Sequence, residues 1–171
     1  MKKIVFQLTW GFILLATSIT AGSTMYSSRD AYSGLRGISA FAVNVDPPHG
    51  IIYGNLKIYG ISRENLQKRI TEKLENAGID VISYADSIDT PGAGVLDLRL
   101  RVVIPEYYYY SYNLYLSVRQ KVKTQQGQQL FLINTWSDTT IGALEESRLT
   151  VLNDYADKMI DEFIEEYKAQ N

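Results

Sequence analysis

The sequence predicts an α+β fold, in which two amphipathic helices cover one face of a single-layer antiparallel or mixed sheet of about four strands. Two observations carry this prediction. Apolar residues recur at steps of three and four in two separate segments, which is typical of helices packed on a core. Between these segments, a long stretch alternates between apolar and polar side chains, as strands with one buried face do. A further alternating segment precedes the first helix, so the predicted order is β-α-β-β-β-α.

The first 21 residues have the three-part order of a secretory signal peptide. Lysines at positions 2 and 3 supply positive charge, an apolar stretch follows from Ile4 to Ala16, and small and hydroxyl residues follow it. The stretch is shorter than the roughly 20 apolar residues that a membrane-spanning helix needs. We therefore expect cleavage after Ala21, or else after Ser18 or Ser23, and a periplasmic or secreted mature protein. A retained N-terminal anchor is the alternative.

The sequence contains no cysteine. A lipid attached through cysteine is therefore excluded, and so are disulfides, which leaves the hydrophobic core alone to hold the domain. The roughly 150 residues after Ala21 suffice for one domain with one core. No basic patch stands out in a chain of formal net charge -2, so we expect no nucleic-acid partner. No later segment is apolar for long enough to span a membrane.

Residues 22–37 are predicted to be a flexible leader, and residues 38–171 a single domain. The leader is rich in serine, tyrosine, glycine and charge, and it has no apolar period. The domain begins with a strand from Ile38 to Val45, in which Phe41 and Val43 share one face. Two prolines after this segment end it, because proline cannot donate to a strand ladder.

The first helix is predicted from Arg63 to Ala77. Ser62 precedes it and can accept a hydrogen bond from an amide of the first turn. Gly78 follows it, at the position where a left-handed residue often ends a helix. The apolar residues between them fall on one face, at Leu66, Ile70, Leu74 and Ala77.

A three-strand meander is predicted after a loop at 89–94. Its first strand alternates from Leu96 to Ile104, and its second, after a corner at Pro105, from Tyr108 to Arg119. A polar turn at 125–128 leads to a return strand from Gln129 to Thr139. The last helix, about 150–167, carries an apolar stripe and an acidic outer face.

No set of residues has the pattern of a catalytic or metal site. His49 is the only histidine, so neither a metal set nor a catalytic pair can be completed around it. The glycines of Pro91–Gly94 precede a strand, whereas a dinucleotide site needs them between a strand and a helix. We therefore expect that the protein is not an enzyme and that it binds neither a cofactor nor a metal. A hydrolase built on two carboxylates remains the alternative, because any two acidic residues can meet in the fold.

The tyrosines are the unusual feature of the sequence. Six of the 13 fall between positions 107 and 115. Alternation places Tyr108, Tyr110 and Tyr112 on the buried face of their strand. The residues on the other face are the predicted binding residues, because tyrosine and arginine are enriched in contact surfaces: Tyr107, Tyr109, Tyr115 and Arg119. The alternative is that tyrosine is present only because aromatic residues favour strands.

The element order resembles that of the small periplasmic domain at the N-terminus of the TolB family and of some outer-membrane assembly proteins. The chain is also similar to uncharacterised exported proteins that combine a segment like Gly37–Phe41 with later ones like Thr135–Ser137 and Ile141–Gly142. The resemblance covers most of residues 36–168. It implies an α+β domain of the cell envelope and brings no catalytic residues.

Together these features predict a non-enzymatic periplasmic interaction or accessory protein of the cell envelope. It would bind a protein partner, or pair with itself as a homodimer, through the tyrosine-rich sheet face that the helices leave uncovered. The alternative is a module that binds a small ligand or an envelope glycan, with tyrosines as stacking platforms. A cluster of aromatics in a concave groove would favour the glycan, and a flat patch would favour the protein.

Overall fold

The computed structural model describes residues 26–30, 34–48, 56–103, 109–123 and 129–171. The described strands are β1 (Tyr26–Asp30), β2 (Ala40–Val45), β3 (Asp80–Ile82), β4 (Ala93–Val103), β5 (Tyr109–Lys123) and β6 (Gln129–Glu145). The helices are α1 (Arg63–Asn76), α2 (Tyr84–Asp89) and α3 (Val151–Gln170), with short 3-10 turns at Lys57–Tyr59 and Glu146–Arg148. The strands form one mixed sheet in the order β1-β6-β5-β4-β2-β3.

The α+β class and the single mixed sheet are confirmed, but the predicted count of about four strands and two helices is too low. The described chain has six strands and three helices. Strand β1 comes from the segment assigned to the leader and pairs with β6, and Leu35 of the same segment is fully buried. The predicted signal peptide, 1–21, lies outside the described residues.

The two predicted helices, α1 and α3, pack on the same face of the sheet, whereas the additional helix α2 lies on the other face. Strand β2 lies between β4 and the edge strand β3, and it pairs in parallel with both. The connection from β2 through α1 to β3 therefore runs toward the edge of the sheet. The connection from β3 through α2 to β4 runs in the opposite direction. Right-handed crossovers in opposite directions place their helices on opposite faces. Consistent with this, α2 contacts β2 and β4, and Val95 and Asp97 are buried beside it.

Helix α1 forms as the sequence predicts. The Ser62 hydroxyl accepts a hydrogen bond from the Asn65 amide at 3.1 Å. Leu66, Ile70 and Leu74 are its buried residues. Gly78 adopts a φ of 78°, and the Ile79 amide returns to the Leu74 carbonyl at 3.0 Å, which completes a left-handed helix end.

The meander also follows the predicted alternation. Leu98 and Leu100 of β4 are buried, and Arg99 between them is exposed. In β5, Tyr110 and Tyr112 face the core. Strand β6 extends past its predicted end at Thr139, since its later residues pair with β5 up to Glu145.

The core lies between the sheet and the helix pair α1 and α3. Phe163 of α3 is central to it, with its ring centroid 5.4 Å from that of Phe41 in β2 and 5.1 Å from that of Trp136 in β6. Two ion pairs join the helices, Arg69 with Asp157 and Lys73 with Asp161. Part of the acidic face of α3 is therefore turned toward α1.

The end of α3 is fastened to the segment before β2. The Asn171 side chain accepts a hydrogen bond from the Gly37 amide at 2.7 Å and donates one to the Leu35 carbonyl at 2.9 Å. Nearby, the Tyr167 hydroxyl donates to the Ile38 carbonyl at 2.7 Å. These bonds close the core at the β2 end of the sheet.

Replacing Gly142 with alanine is expected to lower the free energy of unfolding by about 1–3 kcal/mol, the usual cost of overpacking a core. A Cβ at this position would lie 2.6 Å from the Tyr112 hydroxyl oxygen and 2.8 Å from two of its ring carbons. The ring is buried and stacked on Tyr155, so it has little room to move. Urea denaturation measures the loss, with Ala143→Ser as the control. A Gly142→Ala variant as stable as the parent would contradict this packing.

Candidate functional site

The described residues leave one large surface of the sheet uncovered, on the side opposite α1 and α3 and beyond α2. We call this surface the open face. It consists of the outward residues of β4, β5 and β6, which the strand register arranges in rows. The central row is Arg101, Asn113 and Ile141, and it lies between the row Arg99, Tyr115, Thr139 and the row Val103, Ser111, Ala143.

The centre of the open face is concave because its middle strand carries short side chains. Ser111 and Asn113 of β5 lie between the longer side chains of Arg101 and Val103 on β4 and Ile141 on β6. The result is a depression of about 510 Å3, lined by Arg99, Arg101, Val103, Ser111, Tyr112, Asn113, Tyr115 and Ile141. We call it the open-face depression.

Two of the predicted binding residues lie on the open face. Tyr109 is 46% exposed and lies opposite Glu145 at one end of the surface. Tyr115 lies six positions further along β5, which corresponds to about 20 Å along a strand. The fold does not bring the two tyrosines together as one stacking platform. The third predicted tyrosine, Tyr107, lies outside the described residues.

Tyr115 is held in place by its neighbours. The Arg99 guanidinium lies over its ring, 5.9 Å from the centroid. Its hydroxyl donates to the side-chain oxygen of Asn134 at 2.8 Å, and the Asn134 amide nitrogen donates to the Val118 carbonyl at 3.0 Å. Tyr115 therefore forms a fixed wall of the depression.

Arg119, the fourth predicted residue, is an internal partner of a buried carboxylate. Its Nε and Nη2 donate to the two oxygens of Asp97 at 2.5 and 2.7 Å, and Asp97 is 1% exposed. Asn44 donates to the same carboxylate at 2.7 Å. The hydrogen bonds to Asp97 raise the pKa of Arg119 above its ordinary value, so Arg119 keeps its charge, and Asp97 neutralises it.

The two arginines of β4 are the residues that the prediction missed. The alternation of β4 places Arg99 and Arg101 on its outward face, but the predicted binding residues comprise only tyrosines and Arg119. Arg99 is paired with Asp46 at 3.0 Å. Arg101 is exposed, and it makes no ion pair with the residues that the structure describes.

The open face offers hydrogen-bond donors and apolar walls. Two nearby carboxylates, Asp46 and Asp97, are each paired with an arginine, and a third, Glu145, is exposed opposite Tyr109 at the end of the face. Within the described ranges, no group of three histidine, cysteine, aspartate or glutamate side chains is placed to hold a metal ion. His49 lies outside those ranges. Arginine, asparagine, serine and tyrosine in a solvent-open depression can bind a polar group between apolar contacts.

Among the described residues, no helix is both long and apolar enough to cross a membrane.

Comparisons with known proteins do not assign the chain to a family. No family model and no curated protein matches it. Among solved structures, it is similar to the dodecamer of a PelC point variant from Paraburkholderia phytofirmans, with a TM-score of 0.48, 14% identity, and coverage of 84% of this chain and 98% of that one. The PelC dodecamer from the same organism gives a TM-score of 0.47, 11% identity, and coverage of 84% and 97%.

The Evf virulence factor gives a TM-score of 0.22 at 10% identity, and the chain spans 54% of its length. These likenesses are distant in sequence and partial in structure, and no function follows from them.

Proposed function

We propose that the chain is a non-enzymatic interaction protein of the cell envelope, which binds a protein partner through the open face. The observation that carries the proposal is the composition of this surface. Two exposed apolar side chains, Val103 and Ile141, line the depression together with its arginines, and a third, Tyr109, is exposed at one end of the same face. Apolar and aromatic groups together with arginine are the composition of protein contact surfaces. The envelope location rests on the signal-like order of the first 21 residues.

The geometry supports a protein partner over a glycan. A glycan site of the predicted kind needs aromatic rings grouped within one groove, whereas Tyr109 and Tyr115 are about 20 Å apart. The depression is also open to solvent, and the exposed side chains of Val103 and Ile141 are part of its lining. One observation favours the alternative of a small-ligand site: the volume of the depression, about 510 Å3, lies within the range of ligand pockets.

Photocrosslinking tests the proposal. A benzophenone amino acid replaces Tyr109 on the open face or, as the control, Glu75, which is exposed on α1 on the opposite side of the sheet. We expect irradiation of intact cells to give a discrete protein adduct from position 109 and none from position 75. Mass spectrometry of the adduct distinguishes a second copy of the chain from another protein. Equal labelling from both positions, or no adduct from position 109, would contradict the proposal.

A further inference from the structure

We infer that the open-face depression is a carboxylate-binding site, at which the partner places an aspartate or glutamate side chain against Arg101 and Asn113. This inference rests on the proposed function and specifies the chemistry of the partner. It depends on three observations: the charge of the depression, the arrangement of its donors and the apolar side chains around them.

The positive charge of the depression comes from Arg101, because its other arginine, Arg99, is paired with an acidic residue. Asp46 neutralises Arg99 at 3.0 Å, and Arg99 in turn lies over the Tyr115 ring. Arg101 makes no ion pair within the described residues, and no carboxylate is among the lining residues. The chain as a whole has a net charge of -2, so the positive charge of the depression is a local feature. It attracts an anionic group to this position.

The donors are placed to receive one carboxylate. Asn113 lies directly opposite Arg101 in the β4–β5 register, and Ser111 is two positions before Asn113 in β5. Directly opposed residues have Cβ atoms about 5 Å apart, so a guanidinium and an amide can donate to the same group. Guanidinium binds carboxylate through two parallel hydrogen bonds, a geometry that lysine cannot reproduce.

Apolar side chains strengthen this interaction. Val103 and Ile141 are 47% and 44% exposed and flank the donors on two sides. A partner that covers them removes water from the depression, and the attraction between opposite charges grows as the local dielectric constant falls. We therefore expect an acidic residue next to an apolar one in the partner segment.

NMR titration of the folded, signal-free protein tests the inference. The probe is N-acetyl-glutamate methylamide, and the matched neutral probe is N-acetyl-glutamine methylamide at the same ionic strength. We expect the glutamate probe to cause saturable shifts of the Arg101 Nε–H and Asn113 side-chain amide signals, and the glutamine probe to cause none. In Arg101→Gln the saturable shift at Asn113 should be lost, and in Arg101→Lys it should be weakened.

Arg36→Gln is the control, since it removes the same charge from an exposed arginine outside the depression, and it should titrate like the parent. Saturable shifts that persist in Arg101→Gln, equal shifts with both probes, or no shifts at all would overturn the inference. The crosslinking experiment tests the proposed function independently of the carboxylate site. If position 109 still crosslinks a partner, equally in the parent and in Arg101→Gln, only the carboxylate assignment is wrong; if position 109 gives no adduct, the interaction surface itself is wrong.

Discussion

Replacing Phe163 with alanine is expected to lower the free energy of unfolding by about 3–5 kcal/mol, the usual cost of removing a buried phenylalanine. The side chain is fully buried, and its ring lies edge-on to Phe41 and Trp136. Truncation therefore leaves a cavity at the point where α3 joins both halves of the sheet. A loss of this size is comparable to a large part of the stability of a typical domain.

Urea denaturation followed by tryptophan fluorescence measures the effect of Phe163→Ala. Glu165→Ala is the control on the same helix, because Glu165 is exposed and substitutions of this kind usually change stability by about 0.5 kcal/mol or less. Equal unfolding midpoints for the two variants would show that α3 does not pack on the sheet through Phe163.

Replacing Arg119 with methionine is expected to cost about 3 kcal/mol or more, because it leaves a buried carboxylate without its counter-charge. Methionine retains much of the apolar volume, so the loss reports mainly on the charge. The remaining hydrogen bond to Asp97, from Asn44 at 2.7 Å, cannot replace the guanidinium. If Arg119 were instead a surface contact residue, the substitution would leave stability unchanged and weaken only partner binding.

The double variant Asp97→Asn with Arg119→Met provides the internal control. Removing both charges removes the unpaired buried carboxylate, so we expect the double variant to recover part of the stability lost by Arg119→Met. Thermal and urea denaturation of the four proteins give the coupling between the two residues. If the double variant loses as much stability as the two single variants together, the two residues do not interact as a buried pair.

The sequence predicted the elements that carry a long apolar period. Helix α1 and strands β4 and β5 were found close to their observed bounds because many consecutive residues repeat one pattern. Strand β3 has three residues and α2 has six, which is too short for a period to be visible. Strand β1 forms by pairing with β6, which is more than 100 positions away. The sequence around β1 does not indicate this partner, so the strand could not be predicted from it.

The site was predicted in part for the same reason. Alternation correctly assigns Tyr109 and Tyr115 to the outward face, since this depends on β5 alone. It cannot indicate that α2 packs on that face near Asp97, nor that the Arg119 side chain pairs with the buried Asp97 carboxylate. The depression was missed because it depends on which residues of β4 and β6 oppose Asn113, and that register is a property of three strands together.

The hydrogen bonds between the end of α3 and the segment before β2 have a consequence for the order of folding. The bonds from Asn171 to Gly37 and Leu35 span 134 and 136 positions, whereas β4, β5 and β6 pair with their neighbours along the chain. The entropy lost on closing a loop rises with its length, so the meander should form early and this closure late. In the native state the same contacts should open first, as one local unfolding unit that joins the two distant segments. Amide hydrogen exchange at Gly37 and in the last turn of α3 should therefore be fast and should change together.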